Sequence, residues 1–192
     1  ERQTPNWFVI CSFGEQLEGF VQCLKLQART RKLGADATFW IAAFAYRQHS
    51  LSLEQDLSDD PRKSGFFRAM ATSDFKVLMT LDVKMANGMP MTPFTRIWCE
   101  YEALQVCDQT HAVFDIACFM ENKATLITMG LTDEEKEMEA STAGSGCKAK
   151  AEREKVFNSD IIDFGLRIHM QRAESTNFEH RVRILNSLSK RE

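Results

Sequence analysis

Four apolar runs set the terms for this chain: WFVICSF at 7–13, ATFWIAAFA at 37–45, FKVLMTLD at 75–82 and AVFDIACF at 112–119. Each has strand length, and a run without polar alternation belongs to a strand covered on both faces. Between the first two, Leu17, Phe20, Val21, Leu24 and Ala28 recur at helical spacing, and Gly34 stands where that helix would stop. FFRAMATS reads as a helix entering the third run, and a helix from Phe94 to Cys107 enters the fourth. Strands alternating with helices need crossover connections, so the expectation is an α/β fold with a parallel sheet. The polar stretch after the second run forms a long connection.

The later part is less regular. Thr132 and Glu135 have the spacing of a capping box and open a helix over DEEKEMEA. STAGSG reads as a flexible break, after which CKAKAEREKVF resumes a helix. IIDFGLRI at 161–168 fits a strand or a helix equally, because periodicity does not separate the two. A final helix, capped at Ser175 or Thr176, is expected to turn Phe178, Val182, Leu185 and Leu188 inward. With 192 residues, 44% of them hydrophobic, and only 9 Gly and 4 Pro, the chain suits one domain over 1–192 with a sizeable core.

Composition also narrows the function. A net charge of -3 argues against nucleic acid as the main partner, and Lys148, Lys150, Arg153 and Lys155 alternate with Glu152 and Glu154 as a solvated helix face does. No apolar run is long enough to span a bilayer. The six cysteines lie mostly in apolar segments without C-x-x-C spacing, and Cys99 and Cys107 are separated by about 12 Å of helical rise. Free, mostly buried thiols and no zinc site are expected, in the cytoplasm or another reducing compartment. The chain starts at Glu1 without a secretory signal, so a processed product or a piece of a longer protein is expected.

In a parallel sheet, ligands bind at the carboxyl ends of the strands, which directs the search to the loops starting at Ser12, Ala45, Asp82 and Phe119. Neither a G-x-G-x-x-G turn nor a phosphate-binding G-x-x-x-x-G-K-[ST] loop is present, and there is no nucleophile elbow. Asp82 ends the third run where a phospho-acceptor of a receiver would lie. The first run offers Ser12 and Phe13 instead of the acidic pair that a receiver's cation needs. TRIWCEYEA, at 95–103, is more informative. On a helical wheel Glu102 falls between Trp98 and Val106 near Cys99, on a helix apolar nearly all the way round. A carboxylate there must find a partner such as Arg47 or Arg96, take a raised pKa, or meet a ligand. Glu100 is expected to point away and pair with Arg96.

TRIWCEYEA resembles the segment of Toll/interleukin-1 receptor (TIR) domains in which a Trp, often followed by Cys, precedes a Glu by four positions; Trp98, Cys99 and Glu102 match it. FVICSFGE is similar to the first strand and loop of plant-type TIR domains, and FFRAMATSDFKVLMTLD to the helix and strand before the Trp motif. The resemblance covers about 7–120 and is closest to TIR-like sequences of protists and algae, which share TRIWC and a Gln-His at Gln48 and His49. It implies a flavodoxin-like three-layer fold around a central parallel sheet, followed here by a helical extension over 121–192. The chain departs from the family after the second strand, where the usual Arg-Gly-rich loop is replaced by a long acidic one.

In enzymatic TIR domains the Glu matching Glu102 cleaves the nicotinamide–ribose bond of NAD, with its carboxylate stabilising an oxocarbenium-like sugar. The resemblance then places Ser12, Phe13, Tyr46, His49 and Trp98 around the ligand, with Phe13 or Tyr46 stacking on a base. Two functions follow. The leading one is a TIR-like interaction module or assembly subunit, catalytically silent, working through protein partners or self-association, with Met85, Met89 and Met91 as a contact loop. The alternative is a NAD glycohydrolase or cyclase with Glu102 as its catalytic residue and NAD as substrate, needing no cofactor or metal.

Overall fold

A computed structural model of the protein describes residues 3–45, 60–82 and 92–189. Its centre is a five-stranded sheet in the order β2-β1-β3-β4-β5. These strands are β1 (Trp7–Ile10), β2 (Phe39–Ile41), β3 (Lys76–Leu81), β4 (Val113–Met120) and β5 (Lys123–Thr128). The first four pair in parallel, with Phe8 opposite Val77 and Leu78 opposite Asp115. The result is a mixed α/β molecule with a mostly parallel central sheet flanked by helices, compatible with a flavodoxin-like fold.

The expected all-parallel sheet is corrected at its edge. β5 returns antiparallel to β4 through the two-residue turn Glu121–Asn122, both with positive φ (51° and 58°). Such a turn matches the right-handed twist of paired strands. The 121–192 region thus begins with a strand rather than a helical extension. The second apolar run also changes character midway, since only Phe39–Ile41 is strand and Ala42–Ala45 is a helical turn, α2.

Helix α1 (Leu17–Thr30) covers one face of the sheet, packing Cys23 and Leu24 against Trp7, Leu78, Ala117 and Leu126. It stops before Gly34: Lys32 takes the left-handed conformation (φ 51°), while the Lys32 and Leu33 amides donate to the Arg29 and Ala28 carbonyls. That is a Schellman stop built on a lysine. The next residue inward, Arg31, reaches into the sheet, where Nη2 and Nε donate to the two oxygens of Asp115 at 2.6 and 2.9 Å. Arg31 Nη2 also reaches the Met129 carbonyl at 3.1 Å. Asp115 is fully buried, so this pair fastens helix α1 to the β4–β5 hairpin.

The other face carries α3 (Gly65–Thr72), α4 (Ile97–Cys107) and α7 (Ser159–Gly165), packed on Phe8, Ile10, Val77, Met79 and Leu81. The 161–168 segment is therefore helical at its start. Outside α4 lies α8 (Phe178–Ser189), whose Ile184 packs with Ile97, Tyr101 and Ala173. α8 is capped by Asn177, whose side chain accepts from the Glu179 amide at 2.8 Å, rather than by Ser175 or Thr176. Its inward residue is Ile184, with Leu185 and Leu188 beside it, whereas Phe178 and Val182 are exposed.

The capping box forms as expected at the start of α5 (Asp133–Ser141), with Thr132 and Glu135 exchanging both bonds. STAGSG is a tight corner rather than a flexible break: Gly144 has φ 82°, and Glu139 accepts from the Gly144, Gly146 and Cys147 amides at the start of α6 (Ser145–Glu154). A Cβ on Gly146 would lie 2.0 Å from the Glu135 carbonyl oxygen, so only glycine lets α5 and α6 approach this closely. Two members of the basic cluster turn inward, Lys150 to the Thr128 carbonyl at 2.7 Å and Arg153 to Glu135 at 2.9 Å.

Removing one partner from a buried ion pair leaves the other charge uncompensated, at a cost of about 3–5 kcal/mol. Asp115→Ala should lower the unfolding free energy by that order in urea titrations, whereas Lys32→Ala, which removes an exposed pair with Glu134, should change it by less than about 1 kcal/mol.

Candidate functional site

β1 and β3 are neighbours in the sheet although β2 lies between them in sequence, and at such a point the connections leave the carboxyl ends in opposite directions and open a crevice. A cavity of about 400 Å³ lies there. Its wall includes Cys11, Ser12, Phe13 and Gly14 after β1, Phe66 from α3, and Arg96, Trp98, Cys99 and Glu102 at and along α4. Four residues expected from the sequence thus meet in one place: Ser12, Phe13, Trp98 and Glu102. Tyr46 and His49 lie outside the described residues, as do Arg47, Met85, Met89 and Met91.

The loop after β1 turns sharply because the Gly14 amide donates to Ser12 Oγ (3.3 Å) and the Glu15 amide to the Ser12 carbonyl (3.1 Å). Ser12 is therefore both a turn residue and part of the crevice wall. Phe13 follows it at 72% exposure. Trp98 is half-buried, stacked on Phe66 (ring centroids 5.9 Å, 26° between planes) and edge-on to His180 of α8. It serves as packing anchor and crevice wall together.

Glu102 is 6% exposed. Among the described residues no donor reaches its carboxyl, and burial alone pushes its pKa up to about 8. The expected partner Arg96 is engaged elsewhere, donating to Thr176 Oγ1 at 2.7 Å. Arg96 also stands at the start of α4, where the Ile97 amide donates to the Glu174 carbonyl (3.0 Å), so the entry to the helix is tied to the segment before α8. The thiols beside Glu102 are held protonated: burial and then neighbouring carboxylates push Cys11 up to about 12, and Cys99 is raised well above its ordinary value. Neither is placed to act as a thiolate nucleophile at neutral pH.

A smaller cavity of about 190 Å³ adjoins Gly14, Glu15 and Asp82. Asp82, the candidate phospho-acceptor set aside in the sequence, instead accepts from the Thr92 amide (2.8 Å) and hydroxyl (2.7 Å). Glu15 accepts from the Thr80 hydroxyl at 2.7 Å; burial raises its pKa to about 7 against that bond, with Asp82 adding to the rise. Among the described residues no three His, Cys, Asp or Glu side chains converge as a metal-ligand set. All six cysteines are unpaired, with Cys107 and Cys147 exposed rather than buried. No described helix is long and apolar enough to cross a membrane.

Sequence reasoning missed Phe66, Thr92 and Arg96 as wall residues. Phe66 carries a signal in hindsight, an aromatic at the start of the helix that precedes β3. Arg96, expected from the sequence as a partner for Glu102 or Glu100, is instead a wall residue bonded to Thr176. Glu100 is itself a correction: expected to point away and pair with Arg96, it is 6% exposed, with Oε2 sealed and unpartnered among the described residues. The chain matches no protein-family model, no curated protein and no solved structure.

Because burial raises the Glu102 pKa above its ordinary 4.5, the protonated form belongs to the folded state. The stability it confers is complete below about pH 4.5 and is lost as pH rises through about 8. Glu102→Gln keeps the shape and removes the ionisation. Melting curves of the two proteins from pH 4 to pH 9 should diverge in favour of the variant as pH rises, while Glu15 and Glu100 titrate in both and cancel. A gap independent of pH would mean that Glu102 is solvated or paired rather than buried in its neutral form.

Proposed function

We propose that the chain is a TIR-like domain whose crevice takes a ribosyl nucleotide of the NAD class and whose Glu102 acts on the nicotinamide–ribose bond. One observation carries the reading: Ser12, Trp98 and Glu102, from separate parts of the sequence, line one cavity at the β1–β3 switch point, and the carboxyl has no described partner. Such a group is kept for something that enters the crevice.

The wall suits the chemistry of that substrate. Phe66 and Trp98 offer aromatic faces for a planar ring, and Arg96 offers a cation within reach of a pyrophosphate. Cleavage breaks the bond between C1′ and the pyridinium nitrogen, and its electron pair returns to the ring as neutral nicotinamide. The ribose is left electron-deficient at C1′ and O4′. A carboxylate facing that sugar stabilises the positive charge, after which water adds at C1′ and gives up a proton. Glu102 must be ionised for this role, and a bound pyridinium cation favours the ionised form, opposing the burial that raises its pKa.

A second reading has its own observation. Phe13, Leu17 and Phe44 are 72%, 66% and 74% exposed and line one shallow cleft beside the crevice. Exposed large apolar side chains grouped in this way mark contact surfaces. They favour a protein-interaction role or self-association, which is compatible with the catalytic reading if assembly completes the pocket.

Purified protein incubated with NAD at dilute and crowded concentrations should release nicotinamide, and Glu102→Gln should slow release by about 100-fold or more. Absence of release at every concentration overturns the catalytic reading. For the second reading, sedimentation should show concentration-dependent association that Leu17→Asp and Phe44→Asp reduce; a monomer at all concentrations that also captures no partner overturns it.

A further inference from the structure

Arg96 and Glu102 are the two charged side chains among the described residues on the wall of the β1–β3 crevice, and they have opposite signs. Arg96 is the residue before the first turn of α4 and Glu102 lies six residues on, so about 9 Å of helical rise separates them. Neither is used up by the fold. Glu102 has no donor among the described residues, yet it has no sealed oxygen, in contrast to Glu100 with its closed-off Oε2, so its carboxyl keeps an opening to the crevice. Arg96 has no carboxylate partner among the described residues. Its Nη2 donates to the neutral Thr176 hydroxyl at 2.7 Å, which leaves most of the guanidinium donors free.

A ribosyl nucleotide carries a phosphate at its 5′ carbon, and what hangs on that phosphate decides how a single cation meets it. A terminal monoester has three free oxygens and, above its second pKa of about 6, close to two negative charges. A guanidinium fork binds such a group bidentately. In a dinucleotide the same phosphate is bridging, with one charge and fewer free oxygens, and the described wall offers no second cation for its neighbour. Size points the same way. The cavity of about 400 Å³ lies toward the small end for small-molecule pockets, and the mononucleotide has half the non-hydrogen atoms of NAD. Ser12 adds a neutral donor to this wall: its Oγ accepts from the Gly14 amide, and its own proton has no acceptor among the described residues.

On the premise that Glu102 acts on the nicotinamide–ribose bond, we infer that the preferred substrate of the crevice is a pyridinium ribose 5′-monophosphate, with its phosphate on Arg96 and its C1′ facing Glu102. The separation of the two side chains along α4 matches a ribose that carries its leaving group at one end and a hydrogen-bonded phosphate at the other. The bond from C1′ to the ring nitrogen breaks, and its electron pair goes to neutral nicotinamide. A water oxygen bonds to C1′, the water proton passes to solvent, and ribose 5-phosphate is left. Arg96 sets the specificity and Glu102 serves the chemistry.

Nicotinamide release from nicotinamide mononucleotide, NAD and nicotinamide riboside at pH 7.5 provides the test. The mononucleotide should exceed the other two at least tenfold in kcat/KM. Arg96→Gln should raise its KM at least tenfold with little change in kcat, closing the gap to the riboside. Thr176→Val removes the Arg96–Thr176 bond but keeps the guanidinium, so it separates a binding role from support of the helix start; it should leave the mononucleotide KM where it is. Calorimetry with ribose 5-phosphate gives a readout apart from turnover, with binding to the wild type and at least tenfold weaker binding to Arg96→Gln. NAD turned over with an equal or higher kcat/KM overturns the preference and leaves the catalytic reading standing. An unchanged KM in Arg96→Gln, or an equal rise in Thr176→Val, overturns the role of Arg96 and the preference with it. No release from any of the three substrates overturns the preference and the catalytic reading together.

Discussion

Helix α4 is buried over most of its surface, at seven of its eleven residues, and the rest of the molecule is arranged around that fact. The sheet and α3 take one flank through Cys99 and Val106, and α8 takes another through Ile97 and Tyr101. A helix covered on most of its circumference is apolar on most of it. This one is, except for Glu100, Glu102 and Gln105, all of which are buried. Glu102 lines the crevice, Glu100 keeps one oxygen sealed without a partner among the described residues, and burial pushes both carboxyls toward the neutral form.

The helix stays in place because its start is fastened. Backbone bonds join Thr95 and Ile97 to Glu174, and the Arg96 guanidinium bonds to Thr176. Across the sheet, the Arg31–Asp115 pair does the same for α1. A carboxyl held on rigid elements by fixed neighbours keeps its position relative to the loop at Ser12. That is what a group aimed at a reacting sugar requires, and a packing residue on a mobile loop would not provide it.

Much of this was legible in the sequence because the governing signals are strong ones. Continuous apolar runs gave β1, β3 and β4, and the Thr132–Glu135 spacing gave the start of α5. The wheel placed Glu102 among buried neighbours. What escaped has a physical cause in each case. β5 hides in KATLIT, short and half polar, behind a turn that uses Glu121 and Asn122 where Gly would have announced it. α1 stops on Lys32 instead of Gly34 because the backbone closes a Schellman motif there. Glu100 was expected to point away and pair with Arg96 because a wheel shows one helix and not the neighbours that cover it. Phe178 and Val182 were turned inward by the same one-helix view, when Ile184 is the residue that α4 meets. The TIR resemblance and the roles drawn from it belong to the proposal.

The reading of the crevice turns on Glu102, a buried carboxyl that no described residue partners. Carbon-13 NMR of the glutamate side-chain carboxyls, with Glu102→Gln to assign the resonance, measures it directly. Glu102 should titrate near pH 8 in the free protein, and a saturating pyridinium nucleotide should move that midpoint downward. A midpoint near the ordinary value of 4.5, unmoved by the nucleotide, would contradict this and mean that the carboxyl is solvated or already paired.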